Sequence, residues 1–100
     1  MSVTILGHLK GDPEKIKQTF VKHATEMEQV TKTAVSKGAI THRFMQGDGE
    51  IVIVDEWDTA AHFQEFFSSQ PVIGQMMQEA GVAGPPDVKV FENLVTVGDF

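Results

Sequence analysis

One hundred residues with 41% hydrophobic and 22% charged side chains make one ordinary globular domain, residues 1–100, long enough to bury a core. The formal charge of −6, with eight Lys and Arg scattered among fourteen acids, argues against phosphate backbones and anionic membranes, so no nucleic acid and no membrane partner is expected. The chain has no cysteine, which excludes disulfides, thiolate metal sites and a Cys nucleophile; with no leader pattern and no long apolar run, the expected location is cytoplasmic.

Val3 to Leu9 reads as a first strand, with Val3, Ile5 and Leu9 on one face. Gly11-Asp12-Pro13 breaks it, and Asp12 as N-cap before Pro13 is a strong helix start. Ile16, Phe20, Met27, Val30 and Ala34 then recur at helical period, predicting one helix that ends near Lys37-Gly38, with Gly38 suited to a positive-φ cap. His23 falls in the middle of that apolar stripe and is expected to face the sheet.

Ala39 to Gln46 is a second strand, in which Ile40, His42 and Phe44 alternate with Thr41, Arg43 and Met45. Gly47-Asp48-Gly49 supplies a tight turn into the β-branched run Ile51 to Val54. Trp57 closes that third strand and Asp58 is expected to cap the next helix, which runs to about Ser68. Phe63, Phe66 and Phe67 stand at i, i+3, i+4, so one face of it is aromatic and wants burial. Pro71 predicts a break near Ser69-Gln70, because an interior Pro loses a hydrogen bond and clashes with the preceding turn. A second helical piece, Val72 to about Ala80, turns Ile73, Met76, Met77 and Ala80 inward; Gly81 to Pro86 is a loop, and Val88 to Val97 a last strand.

The order βαββαβ predicts an α+β, ferredoxin-like fold: a four-stranded antiparallel sheet with helices on one face. Two strands are apolar on both faces, through Ile51/Ile53 against Val52/Val54 and Val88/Val90/Leu94 against Phe91/Val95/Val97. The helices cover one face only, so a second copy, sheet to sheet, is the expected cover, making a homodimer.

His23 is the first candidate for chemistry, as a general base or as an anchor for a substrate oxygen. The alternative is a core histidine bonded to a backbone carbonyl. His8, His42 and His62 read as solvated or interface residues, and no histidine spacing suits zinc, so no metal is expected. Arg43 could grip an anionic group or form a surface ion pair, while Glu56 and Asp58 read as solvent-facing and capping. Phe20, Met27, Trp57, Phe63, Phe67, Met76 and Met77, with Phe66, could line an apolar pocket for a flat organic molecule, or simply form the core.

The strand ending in Trp57-Asp58, the Ala/Phe helix after it, and Ser68-Ser69-Gln70-Pro71-Val72-Ile73 together resemble the antibiotic biosynthesis monooxygenase superfamily. That resemblance implies a small dimeric α/β barrel. Its members include cofactor-free oxygenases of quinols and anthrones, haem-degrading oxygenases and proteins without demonstrated chemistry. The haem branch is similar in layout, yet its first-strand Asn meets Gly7 and His8 here, its helix Trp meets Phe66, and its axial His meets Met76 and Met77; no haem and no other cofactor is expected. The polyketide branch uses a Trp, an Asn and often a Tyr or Arg, whereas this chain has no Tyr, only Trp57 and only Arg43. Two readings therefore stand: a monooxygenase-like enzyme acting on an apolar aromatic or quinone-like compound with His23 as its polar handle, or a non-catalytic dimeric domain that binds a ligand or partner.

Overall fold

A computed structural model describes residues 2–94. Its elements run β1 (Val3–Lys10), α1 (Pro13–Lys22), α2 (Ala24–Lys37), β2 (Ala39–Gly47), β3 (Glu50–Trp57), α3 (Ala60–Ser68), α4 (Pro71–Glu79) and β4 (Asp87–Glu92). The four strands form one sheet in the order β2-β3-β1-β4, antiparallel at every junction. This is the ferredoxin-like α+β plan, with all four helices contributing to the core on one face.

The alternation in β1 decides which face that is. Val3, Ile5 and Leu9 are buried, while Leu6 and His8 look the other way and are only half-buried. Opposite them on β3, Ile51 and Trp57 are buried on the same side. Two clusters fill the space beneath the helices. One joins Val3, Ile5 and Trp57 to Phe63 and Phe66 of α3; the other joins Leu9 and Ile51 to Ile16 of α1 and Met77 of α4. Trp57, 1% exposed, meets Phe63 and Phe66 at centroid separations of 5.7 and 5.2 Å. Its burial alone removes roughly 150–250 Å² from water, an upper bound of about 4–6 kcal/mol.

Three boundaries differ from the sequence reading. The single helix expected through residue 37 is two, because His23 takes φ −104°, ψ 33° between α1 and α2. The N-cap of α3 is Thr59, whose extended backbone lets its hydroxyl accept from the His62 N–H at 3.1 Å; Asp58, one residue too early for that role, accepts from the Thr59 N–H and pairs with His62 instead. Strand β4 ends at Glu92, and the Asn93 side chain beyond it accepts from Thr4 and donates to Ser2. Val95 and Val97, expected to extend that strand, lie outside the described residues. The Gly38 cap is as expected, with φ +127°, and a Cβ there would run into the Asp58 carboxylate.

Candidate functional site

Helix α2 is thinly packed, touching the core through the half-buried Val30 and Ala34. It buries no residue; Met27, Val30 and Ala34 on its inner side are only half-buried. It is instead tied at its ends. His23 Nε2 sits 2.6 Å from Glu79 of α4 at one end, and at the other the Gly38 carbonyl accepts from the Asp58 N–H at 3.0 Å. The middle of α2 therefore spans a gap over β2 and β3.

That gap is a cavity of about 390 Å³, within the size range of small-molecule sites. Its floor is Ile5, the bare backbone of Gly7, Leu9, Ile53 and Val88; its inner end is Trp57 with the Phe63, Phe66 and Phe67 side chains, then Ile73, Met76 and Met77. Ile40, Thr41, His42 and Phe44 of β2 form the side toward the sheet edge. Phe20 of α1 packs on Phe44 with ring centroids 4.9 Å apart. Stacking faces and flexible thioethers make this wall suited to a flat apolar molecule.

Two titratable side chains stand among the lining residues, and they are paired with each other. His42 Nδ1 lies 2.5 Å from Asp55 Oδ1, directly across the β2–β3 ladder. The Asp55 side chain is 15% exposed and also receives the Trp57 indole N–H at 3.5 Å; the His42 ring, 41% exposed, meets the Phe44 ring edge-on at 4.6 Å. A carboxylate on Nδ1 fixes the ring as the Nδ1–H tautomer, which leaves Nε2 as an acceptor.

The hairpin register puts His42 there: from the Gly47–Glu50 pair the ladder runs unbroken through Phe44–Ile53 to His42–Asp55, and Asp55 stands opposite the buried Ile5; a β-bulge follows only beyond Thr41. Ala39 pairs with Trp57 and Thr41 with Glu56, so Ile40 is the extra residue in β2. In an unbroken ladder Ile40 would stand opposite Trp57, and the bulge puts the small Ala39 there instead. Bulges re-aim side chains in this way, and they are over-represented beside active sites.

Phe20, Met27, Trp57, Phe63, Phe67, Met76 and Met77 all line the cavity. His23 does not. The stripe that placed it toward the sheet assumed an unbroken helix, and the break at His23 itself turns the ring to α4 and the surface. There it meets Glu79 and, at 3.7 Å, Glu26, while Lys22 reaches the other Glu79 oxygen at 3.1 Å. The His23 hydrogen bond, followed by that of Lys22, holds the Glu79 carboxyl below the ordinary carboxylate value. His8 pairs with Glu50 at 2.8 Å and His62 with Asp58 at 2.9 Å; Arg43, opposite Val54, belongs to the sheet face away from the helices. Glu56 accepts from Ser2 at 2.6 Å. Among the described residues, no group of three or more His, Asp or Glu is placed to hold a metal ion, and no helix is long and apolar enough to cross a membrane.

His42, not His23, is thus the histidine at the cavity, and two signals in the sequence point to it. It shares its strand face with Phe44, and a turn pairing Gly47 with Glu50 carries the register back to His42 opposite Asp55.

No protein-family model matches this sequence, and no curated protein matches it either. Solved structures do. SnoaB of Streptomyces nogalater, a cofactor-independent oxygenase, superposes with a TM-score of 0.65 at 14% identity, covering 98% of both chains. The monooxygenase of the gene ActVA-Orf6 of Streptomyces coelicolor, solved with the ligand nanaomycin D, gives 0.68 at 10% identity over 99% of this chain and 92% of its own. A further antibiotic biosynthesis monooxygenase gives 0.64 at 13% identity over 93% and 99%. This chain has the antibiotic biosynthesis monooxygenase fold. At these identities the fold is what is shared.

Proposed function

We propose that this protein is a monooxygenase-like enzyme that takes a flat, apolar aromatic or quinone-like molecule into the cavity beneath α2, without a cofactor. The observation that carries this reading is the cavity itself: about 390 Å³, walled by aromatic and thioether side chains, with one acid–base pair in its lining. The neighbours of the same fold support it, since SnoaB is a cofactor-independent oxygenase and the ActVA-Orf6 protein was solved with nanaomycin D. For an anthrone-type substrate the reaction balances with dioxygen as sole oxidant: the ring methylene and O₂ become a carbonyl and water. An oxygen electrode with an anthrone and a naphthohydroquinone, compared against protein-free controls, tests this. Ligand-dependent oxygen uptake above the control supports the reading.

A specific observation favours the non-catalytic alternative. The chain has no tyrosine, and its only arginine belongs to the face away from the cavity. Binding of both compounds, seen as a raised melting temperature, with no oxygen uptake would select that reading.

We propose further that the protein is a homodimer. On the sheet face away from the helices, Leu6, Met45, Val52, Val54 and Phe91 share one side, ringed by the Ser2–Glu56, Thr4–Asn93 and His8–Glu50 hydrogen bonds. Met45 and Phe91 are 44% and 48% exposed, and a second copy is the simplest apolar cover for such a face. Sedimentation at micromolar concentration should give twice the chain mass, and Val52→Asp should abolish it by placing a charge in that interface.

A further inference from the structure

We propose that His42 is the catalytic base of the cavity, with Asp55 as its positioning residue, and that the ligand class is therefore hydroxyaromatic: a phenol, naphthol or hydroquinone that binds as the neutral molecule and is ionised in place. This rests on the cavity being a ligand site, and it adds which atom of the ligand reacts first and with what.

Three independent features converge on the pair. Among the described residues that line the cavity, His42 and Asp55 are the only titratable groups; α2 offers Thr31, and α1, α3 and α4 offer only apolar groups. The ring is oriented by its short contact to Asp55, so Nε2 is the free acceptor, and among the described residues it has no protein partner. The hairpin register from Gly47–Glu50 places this one histidine on the inner face of β2, opposite Asp55.

The step is a proton transfer and needs no oxidant. The ligand O–H bond breaks, its proton passes to His42 Nε2, and the Nδ1–H stays on the Asp55 carboxylate. The products are an aryloxide and an imidazolium lying between two anions, an arrangement that favours the charged ring. The partly exposed edge of His42 lets the proton leave to solvent once the ligand has reacted. Apolar walls make the neutral ligand the form that enters, because a free anion would lose its hydration on the way in. A cavity this apolar rewards ligands whose ionised oxygen lands beside His42 and penalises any second charge elsewhere on the ring system.

The test uses 1-naphthol, whose ultraviolet absorption changes on ionisation, and 1-methoxynaphthalene, which has the same rings and no proton to give. Both should bind the intact protein. Bound 1-naphthol should ionise at a pH lower than free 1-naphthol by about one unit or more. His42→Gln keeps a hydrogen-bond donor toward Asp55 but has no base; it should still bind both compounds and lose the ionisation shift. Asp55→Asn should keep binding and reduce the shift to a fraction of its wild-type size, through loss of the carboxylate that holds the imidazolium. Binding of 1-naphthol with the ionisation of the free compound would overturn the proposal, as would an undiminished shift in His42→Gln. If both compounds bind and only the shift is missing, the base assignment fails and the cavity reading stands. If neither compound binds, both fail together.

Discussion

The two helices facing each other across the cavity are made of similar material and do opposite jobs. Helix α3 presents Phe63 and Phe66, both buried, and clamps them on Trp57; α2 presents Met27, Val30 and Ala34, and none is fully buried. Their anchoring explains the difference. Two large aromatic rings on α3 reach the sheet by themselves, whereas the inner side chains of α2 are small or flexible, and the helix is held by its ends at His23–Glu79 and Gly38–Asp58. A helix fastened at both ends and thinly packed between them leaves a void. Here the void sits above the one bulge in the described sheet. Stability and ligand space are thus assigned to different helices of the same βαββαβ order.

Substitutions can break or sharpen that contrast. The largest effect belongs to the packed half: Trp57→Ala or Phe66→Ala should cost about 3–5 kcal/mol in chemical denaturation, a large share of the stability of a domain this size. Next is the fastening of α2. Gly38→Ala places a side chain at φ +127° and against the Asp58 carboxylate, and should cost about 1–3 kcal/mol by the same measurement. Val30→Ala in the spanning half should cost about 1 kcal/mol or less, since the removed methyl groups already border empty space. A loss comparable to that of Phe66→Ala would show that α2 packs as tightly as α3.

The smallest effect is electrostatic. The hydrogen bond from His62 is the main cause of the lowered Asp58 pKa, as that from His23 is for Glu79. A carboxyl whose folded-state pKa lies below its unfolded value stabilises fully above the ordinary carboxylate range, and that contribution is lost as pH falls through the folded value. Thermal denaturation should therefore show stability falling once the pH drops below about 4. His23→Ala should leave the melting temperature at neutral pH within a few degrees of wild type, as expected for solvent-screened pairs, and should weaken part of that acid dependence.

Much of the fold was legible in the chain because it depends on short-range patterns. The Asp12-Pro13 start, the turn at Asp48-Gly49, the β-branched run into Trp57 and the aromatic face of α3 each act within a few residues, and the observed elements follow them. The apolar residues expected around a pocket could be named for the same reason, since periodicity says which side of a helix turns inward. The break at His23 was not legible. No Pro or Gly marks it, and its partners, Glu79 on α4 and Glu26, include one that lies far away in sequence. A helical projection run through that break assigned the wrong histidine to the sheet.

Sequence alone therefore determined the order of elements, the strand that ends in Trp57 and the aromatic face that covers it, because local sterics and hydrophobic period act on neighbouring residues. Only the tertiary structure decided where space was left and which polar group faces it. The cavity is the difference between two helices packing on one sheet, and the His42–Asp55 pair faces it because the β2–β3 register sets His42 opposite Asp55 on the face that the helices cover. Both are properties of register and spacing between elements, which no single segment carries.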